Sequence, residues 1–268
     1  MTTVHGMQDI LDAVAQTLEP LTEITVFESL PSTNTWLADN TPPAIGTARA
    51  ALALHQTAGR GQRSRTWVAP SRSGLCLSIG HRFAAMPDAA SALTLGLGVA
   101  VNDALRLLGM RDVHLKWPND LVRNDQKLGG ILVESRVLPD SSFYVIAGIG
   151  INHRLPDGFT LPDGGWARSA TDVTACDASI SLTDLAATVL EHACLSLAQF
   201  SNAALPGTMT RFNEIHWLRD RWVELDGRRL RCGPVDATGR LEVTDPELGD
   251  RAFLSSGEPL PLSMVAPS

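Results

Sequence analysis

Apolar residues recur with helical spacing in several parts of the chain. Residues 7–19 show this spacing and stop before Pro20, which predicts a first helix. A longer apolar helix is predicted over roughly residues 89–108, with Asp88 as its candidate N-cap and Gly109 as its stop signal. Two further helices are predicted over residues 182–200 and 208–218.

Alternating and continuous apolar runs predict strands between these helices. A polar turn, PSTN at residues 31–34, follows the first strand. A Gly- and Pro-rich polar loop is predicted at about residues 154–168. The predicted strands are residues 24–30, 48–56, 74–83 and 143–152, with a hairpin of 113–120 against 127–135 around VRNDQ.

The pattern of apolar and polar residues changes after Leu218. Short alternating runs there are divided by Asp-Gly and Thr-Gly turns, which is typical of a small all-β barrel. The pattern therefore predicts an α/β core over residues 1–218 and a small β domain over residues 219–268.

Composition excludes several classes of protein. The 268 residues carry 22 Lys+Arg against 29 Asp+Glu, a formal charge of −7, which argues against a general nucleic-acid surface. No run approaches the roughly 20 apolar residues of a membrane helix, and the N-terminus lacks the features of a signal peptide. The four cysteines are scattered without a C-x-x-C pair, so a reducing, cytoplasmic location is expected.

Positive charge is nevertheless concentrated in one window. Residues 40–87 contain no Asp or Glu but six arginines, and within them lies LHQTAGRGQRSRTWV at residues 54–68. Gly59 and Gly61 permit close approach of a ligand, arginines bind anions, and Trp67 offers a flat face to a ring. No Walker A pattern is present. Taken alone, this loop is compatible with a solvated turn or with a site for an anionic ligand.

The only two lysines lie eleven residues apart, Lys116 and Lys127, in HLKWPNDLVRNDQKLGGILVES. Lysine is a compact point charge on a flexible stem, whereas arginine is a rigid fork. Gly129 and Gly130 weaken an apolar strand unless a group must approach its backbone. A bulged hairpin with two surface lysines and a ligand site both remain open.

Two further segments carry small or polar residues in a pattern with two interpretations. In FYVIAGIGIN, Gly148 and Gly150 share one strand face and leave either a slot for a flat molecule or room for close packing. In SLPSTNTW, the hydroxyls and amide of Ser32, Thr33 and Asn34 stand at a strand-to-helix junction. They would cap the helix, bind a small polar ligand, or do both.

In this order, PSTN, HQTAGRG, KWPND, KLGGILVE and AGIGIN resemble the motifs of biotin protein ligases, strongly over residues 28–152. The resemblance implies a mixed α/β catalytic domain akin to class II synthetases and a C-terminal SH3-like β-barrel. It also implies that biotin and ATP, with Mg²⁺, form biotinyl-5'-AMP. By the same resemblance, biotin would then pass to a lysine of a biotin carboxyl carrier protein. No DNA or membrane partner is expected, and the chain would be a monomer or homodimer.

The resemblance also assigns roles to residues. Lys127 and Arg60 would be catalytic, and Trp67 would stack on adenine. Mg²⁺ would be held mainly by ATP, with Asp120 as the candidate protein ligand. The biotin site would comprise Ser32, Thr33, Asn34, Gln56, Gly59, Arg60, Gly61, Gln62, Lys127, Gly130, Gly148 and Gly150. The ATP and adenylate site would comprise Arg63, Arg65, Trp67, Lys116, Asn119, Asp120 and Asn152.

Two departures from the family pattern matter. The family loop commonly reads G-R-G-R-x-G-R, whereas this chain has Gln62 and Ser64 in place of an arginine and a glycine. A dipole where a charge is usual predicts weaker retention of the adenylate. Only about 30 residues precede PSTN, so a ligase without the DNA-binding domain of some relatives is expected.

Three alternatives stay open beside the biotin ligase. A lipoate or octanoate transferase on the related fold is disfavoured by KWPND and the Ser32–Thr33 pair. A non-catalytic biotin- or nucleotide-binding module is disfavoured by Lys127 in its intact context. A DNA-binding regulator is disfavoured by the acidic composition.

Overall fold

A computed structural model describes residues 4–161, 166–167, 169–200, 203–245 and 249–262. The helices are α1 (Val4–Thr17), α2 (Thr33–Asp39), α3 (Leu93–Leu107), α4 (Leu182–Ala198) and α5 (Leu205–Glu214). The strands of the first part are β1 (Leu21–Phe27), β2 (Ala48–Ala53), β3 (Gly74–Phe83), β4 (His114–Lys116), β5 (Asp120–Arg123), β6 (Gln126–Val137) and β7 (Phe143–Asn152). The strands of the second part are β8 (Trp222–Leu225), β9 (Arg228–Val235), β10 (Leu241–Thr244), β11 (Arg251–Leu254) and β12 (Leu260–Pro261).

Seven strands form one mixed sheet in the order β1-β2-β3-β7-β6-β5-β4. Strands β1 and β2 are parallel, and the other neighbours are antiparallel. Helices α1, α3 and α4 cover one side of the sheet, where Leu75, Leu77, Ile79, Leu97 and Leu105 are among the buried residues. The short helix α2 packs against β2, β3 and β7. Burial of one apolar face beneath the helices is the main source of stability.

A separate antiparallel sheet of five strands, in the order β11-β10-β9-β8-β12, follows in the chain. Its interior includes Val223, Leu230 and Val243. The indole of Trp117 donates to the carbonyl of Gly239 at 3.1 Å, which joins the second sheet to the first part of the chain. The predicted mixed α/β fold with a small C-terminal β unit is confirmed. The division at residues 218 and 219 stays a prediction.

The predicted hairpin was wrong in one respect. Residues 113–120 do not form one strand, because the chain turns at Trp117–Pro118 and separates β4 from β5. Proline has no N–H for a ladder, so it ends the strand. The hairpin that does form joins β5 to β6 through Asn124 and Asp125, both of which have positive φ angles.

Two helix boundaries also differ from expectation. Helix α3 begins at Leu93 after a short 3₁₀ turn, and its N-cap is Ala92 rather than Asp88. Helix α5 begins at Leu205, earlier than predicted, with a proline in its first turn. In the predicted loop at 154–168, residues 162–165 and 168 lie outside the described residues. Among the residues that the structure describes, no helix has the length and apolar character needed to cross a membrane.

Candidate functional site

A cavity of about 370 Å³ lies against β3, β6 and β7. The N-terminus of α2, the loop at residues 60–68, the turn that contains Asn119, and Gly257 and Glu258 of the second sheet region also line it. Its volume is at the lower end of the range for small-molecule sites. The predicted site residues that line it are Ser32, Thr33, Asn34, Gln56, Arg60, Gly61, Gln62, Arg63, Arg65, Trp67, Lys116, Asn119, Asp120, Lys127, Gly130, Gly148, Gly150 and Asn152.

Gly59 is the one predicted residue that does not line this cavity. Its carbonyl accepts from the backbone N–H of Trp67 at 3.0 Å. A Cβ at this position would lie 2.4 Å from the Trp67 carbonyl oxygen. Glycine is therefore needed here for the loop to close on itself, rather than for direct approach of a ligand.

One end of the cavity is polar and mostly neutral. The Gln56 side-chain carbonyl accepts from the Thr33 backbone N–H at 2.8 Å. Ser78 approaches the Thr33 hydroxyl at 2.6 Å and donates to the Asn34 carbonyl at 2.6 Å. The Ser32 hydroxyl accepts from the Thr35 N–H, so the predicted helix cap is present at this same end.

The glycines of β7 make room for protein side chains. A Cβ on Gly148 would lie 2.4 Å from the Asn34 Oδ1, and a Cβ on Gly150 would lie 2.7 Å from the Trp67 indole. The side chains of Asn34 and Trp67 thus occupy the slot predicted from AGIGIN on this face of β7, and both residues line the cavity. These glycines act on the cavity by fixing the positions of the two side chains.

The other end carries both lysines of the chain. Lys127 Nζ lies 2.7 Å from Asp120 Oδ1, and the indole of Trp166 donates to Asp120 Oδ2. Lys116 is 1% exposed, with its ammonium 5.2 Å from the Trp166 ring centre. The interpretation of both lysines as surface residues was therefore wrong for Lys116. No ion pair within 4.0 Å involves Lys116 in the part of the chain that the structure describes.

Burial and charge shift the pKa values of these groups in opposite directions. Burial lowers the pKa of Lys116, and the carboxylate of Asp120 partly offsets that effect. For Asp120, burial acts to raise the pKa, but Lys127 and Lys116 outweigh it and the pKa lies below its usual value. Asp120 is thereby held as a carboxylate between two ammonium groups.

The glycine-arginine loop forms a 3₁₀ turn at Gln62–Ser64, where Arg63 and Ser64 have positive φ angles. Arg65 Nη2 lies 2.6 Å from Glu258 Oε2, and Arg63 Nη1 lies 3.4 Å from the same oxygen. Arg60 pairs with Glu134 on β6. Three arginines of the acid-free window thus stand over the cavity, and acids from other segments neutralise them.

Asn119 and Asn152 hold backbone within the site. The Asn119 amide donates to the Ile131 carbonyl at 2.9 Å. The Asn152 amide donates to the Thr171 carbonyl at 3.0 Å and to the Lys127 carbonyl at 3.2 Å. Their predicted contact with a nucleotide stays a prediction.

Several residues of the site were missed by sequence reasoning: Ser78, Glu134, Trp166 and Glu258. Glu134 stood inside the quoted KLGGILVE segment, but nothing in the spacing linked it to Arg60. Trp166 and Glu258 are distant in sequence from every motif, so only the folded chain brings them to the cavity.

The donor set does not by itself fit a protein-bound metal. In the described ranges no group of three or more His, Cys, Asp or Glu side chains could hold an ion. Both oxygens of Asp120 already have partners in Lys127 and Trp166. Mg²⁺ would therefore depend on oxygens that a nucleotide brings with it.

Fold and cavity together define a class: an α/β domain with a small-molecule cavity that is neutral and polar at one end and carries both lysines at the other. The family model described as the Biotin/lipoate A/B protein ligase family matches residues 26–152. This match covers just under half of the chain.

Several similar proteins are named as ligases, and some of these names include biotin. The chain is 32% identical over 207 residues to the bifunctional ligase/repressor BirA of Escherichia coli, covering 75% of this chain and 62% of that protein. It is 39% identical over 105 residues to the biotin–[acetyl-CoA-carboxylase] ligase of Mycobacterium tuberculosis, covering 38% of each. The biotin protein ligase of Leishmania major in complex with biotinyl-5-AMP matches with a TM-score of 0.59 and 26% identity, covering 87% of this chain and 99% of that one. The chain thus spans less than two thirds of the length of the Escherichia coli relative.

Proposed function

We propose that this protein is an ATP-dependent ligase that activates biotin as biotinyl-5'-AMP and transfers it to a lysine of a biotin carboxyl carrier protein. The observation that carries the proposal is the two-ended cavity. Neutral donors and acceptors around Thr33 and Gln56 suit a ring with polar edges, and the Lys127 end suits an acid and a phosphate. The names of the relatives support biotin as the ring and a carboxylase carrier as the acceptor.

In this proposal the biotin carboxylate attacks the α-phosphate of ATP, and pyrophosphate leaves. Negative charge grows on the α-phosphate during attack, and cations already in place lower the cost of that growth. Lys127 is held by Asp120 at the cavity wall, and Lys116 lies buried behind it. The Asp120 carboxylate orients the Lys127 ammonium and partly offsets the effect of burial on Lys116. Mg²⁺ bound to the triphosphate would neutralise the leaving pyrophosphate.

The loop arginines serve the second half of the reaction. Arg60, Arg63 and Arg65 stand over the cavity and exclude water from the mixed anhydride when the ligand is bound. The ε-amine of the carrier lysine then attacks the acyl carbon, an amide bond forms, and AMP leaves with the bonding electrons. The proton lost from the amine passes to solvent or to the departing phosphate oxygen.

Biotin-dependent exchange of pyrophosphate into ATP tests the first half-reaction, with lipoate as the competing acid. Exchange with biotin and none with lipoate supports the proposal. Exchange with lipoate alone would identify a lipoate ligase on the same fold. Biotin binding without exchange would identify a binding module. Each outcome is distinct because the two acids share a carboxylate tail and differ in the ring.

A further inference from the structure

A continuous chain of hydrogen bonds crosses the polar end of the cavity. Thr33 Oγ1 and Ser78 Oγ are 2.6 Å apart, and Ser78 Oγ lies 2.6 Å from Asn34 Oδ1. Asn34 Nδ2 donates to Glu134 Oε2 at 2.8 Å, and Arg60 pairs with that same oxygen. These five residues are called the polar relay. Thr33, Ser78 and Asn34 are each less than 5% exposed, and all three line the cavity.

The Glu134 end sets the direction in which protons point along the relay. An ionised carboxylate accepts hydrogen bonds and cannot donate them. Asn34 must therefore turn its NH₂ group toward Glu134, which leaves its carbonyl oxygen toward Ser78. Arg60 has donors only, so it cannot offer Asn34 an alternative acceptor. The orientation of the Asn34 amide follows from this chemistry.

The same logic continues to the cavity. The Asn34 carbonyl requires a proton, and Ser78 has only one, so Ser78 donates to Asn34. At the 2.6 Å contact the Thr33 hydroxyl must then donate to Ser78. The Thr33 hydroxyl proton then points to Ser78 and not to the Gln56 side-chain oxygen, which lies 3.1 Å from Thr33 Oγ1. That Gln56 oxygen still accepts from the Thr33 backbone N–H. The Thr33 hydroxyl consequently turns its lone pairs to the cavity.

The position of Asn34 is itself fixed by packing. A Cβ on Gly148 would lie 2.4 Å from Asn34 Oδ1, so the amide rests directly on the strand backbone. Asn34 is also in the first turn of α2, which is capped by Ser32. Packing therefore leaves Asn34 little room to find other hydrogen-bond partners. Glu134 then determines which end of the Asn34 amide faces it and which end faces Ser78.

We propose that Glu134 is a specificity-determining positioning residue, which makes the Thr33 hydroxyl an acceptor for N–H groups of the ligand ring. This inference rests on the proposed function. The group that the Thr33 hydroxyl would recognise is a cyclic urea, because its N–H groups need hydrogen-bond acceptors. A dithiolane ring such as that of lipoate has no N–H and gains nothing from the same arrangement. Glu134 touches neither ring; it acts through Asn34 and Ser78.

Glutamine at position 134 relaxes the constraint. Its single amide oxygen has to serve both Arg60 and Asn34, and when Arg60 takes it the NH₂ group can face Asn34, so both proton directions become available along the relay. In Glu134→Gln we expect biotin affinity to fall about tenfold, which is the effect of losing one hydrogen bond. Lipoate affinity should change by less than about twofold. Isothermal titration with each acid measures both.

A paired exchange supplies the matched control. In Asn34→Asp two carboxylates face each other, and their repulsion should displace the new aspartate from Ser78, so that Ser78 no longer fixes the Thr33 proton and biotin affinity falls at least about tenfold. In the double variant Asn34→Asp with Glu134→Gln, the glutamine donates to the carboxylate now at position 34, and that carboxylate still accepts from Ser78. The net charge equals that of the wild type, and Thr33 is again an acceptor. Biotin affinity should recover to within about threefold of the wild type.

The outcomes separate the inference from the proposed function. Equal biotin affinity in the wild type and Glu134→Gln, or equal losses for biotin and lipoate, would overturn the inference. A double variant no better than its two parents would overturn it as well, even where lipoate binding is below detection. Wild type that binds no biotin would defeat the proposed function instead. Thermal unfolding of every variant identifies any that fails to fold, and Glu134→Ala then replaces Glu134→Gln.

Discussion

Gly150 offers the sharpest test of how the sheet shapes the cavity. A Cβ at this position would lie 2.7 Å from Cε2 and from Cζ2 of the Trp67 indole. Contacts below 3.0 Å are essentially never seen, and ordinary contact begins near 3.4 Å. Strand β7 is held by β3 on one side and β6 on the other, so the indole must move rather than the strand. The backbone φ of Gly150 is not positive, so an alanine can adopt the backbone conformation at this position.

The clash between the new methyl group of Gly150→Ala and the Trp67 indole should therefore change stability, nucleotide binding, or both. If the indole stays, overpacking costs about 1–3 kcal/mol of unfolding free energy. If the indole swings into the cavity, it occupies the space proposed for adenine. We expect a rise in the KM for ATP of about tenfold or more, a loss of about 1–3 kcal/mol in stability, or both.

Gly207→Ala is the matched control, because no atom of the described residues lies within 4 Å of a Cβ at that position in α5. A helical Gly-to-Ala change is neutral or stabilises by up to about 1 kcal/mol. Urea unfolding and the KM for ATP are measured on both variants. Gly150→Ala with unchanged stability and unchanged KM would refute the idea that this glycine exists to seat Trp67.

Three further changes have defined outcomes. Asp120→Asn leaves the partly exposed Lys127 without its ion-pair partner and the buried Lys116 without a nearby carboxylate, and we expect a loss of about 3–5 kcal/mol by urea unfolding. A loss below about 1 kcal/mol would contradict the interpretation of a buried charge that depends on Asp120. His216 is buried, and burial, with Lys116 and Arg219, lowers its pKa from 6.5 to about 3. The unfolded chain alone takes up this proton as the pH falls below 6.5, so at about pH 5 the wild type loses about 2 kcal/mol through this group. His216→Phe should remove that loss, measured as the difference in stability between about pH 7.5 and about pH 5; an equal difference in both proteins would show that His216 is not its source. Gln62→Arg places a charge at the cavity lining, and slower release of the adenylate is expected in a filter-binding assay, whereas equal release rates would rule out the sequence-based hypothesis.

Much of the fold could be predicted because periodicity reports which face of an element is buried. Strand β3 and strand β7 were predicted at the bounds that the structure shows. The hairpin error arose because apolar spacing is similar on both sides of Trp117–Pro118, and the turn depends on the proline rather than on the pattern. The start of α3 was misplaced because Asp88 is a good cap by type, yet the chain first makes a 3₁₀ turn at Ala90–Ala92.

The site was predictable where a motif held the residues together in sequence. Arg60, Lys127 and Asp120 each stood in a quoted segment, and all three line the cavity. Glu258 and Trp166 could not be found, because their contacts join segments more than 40 residues apart that share no pattern. The burial of Lys116 was equally hidden, since a lysine is expected at the surface unless the packing around it is known.

The most direct test of the proposed ligase is transfer of biotin to a biotin carboxyl carrier domain with ATP and Mg²⁺. Wild type and Lys127→Ala are compared side by side, with Gly207→Ala as the control for preparation and folding. We expect transfer by the wild type and by Gly207→Ala, with activity near background in Lys127→Ala. Wild type that binds biotin but forms neither adenylate nor biotinylated carrier would refute the proposal, as would full transfer by Lys127→Ala.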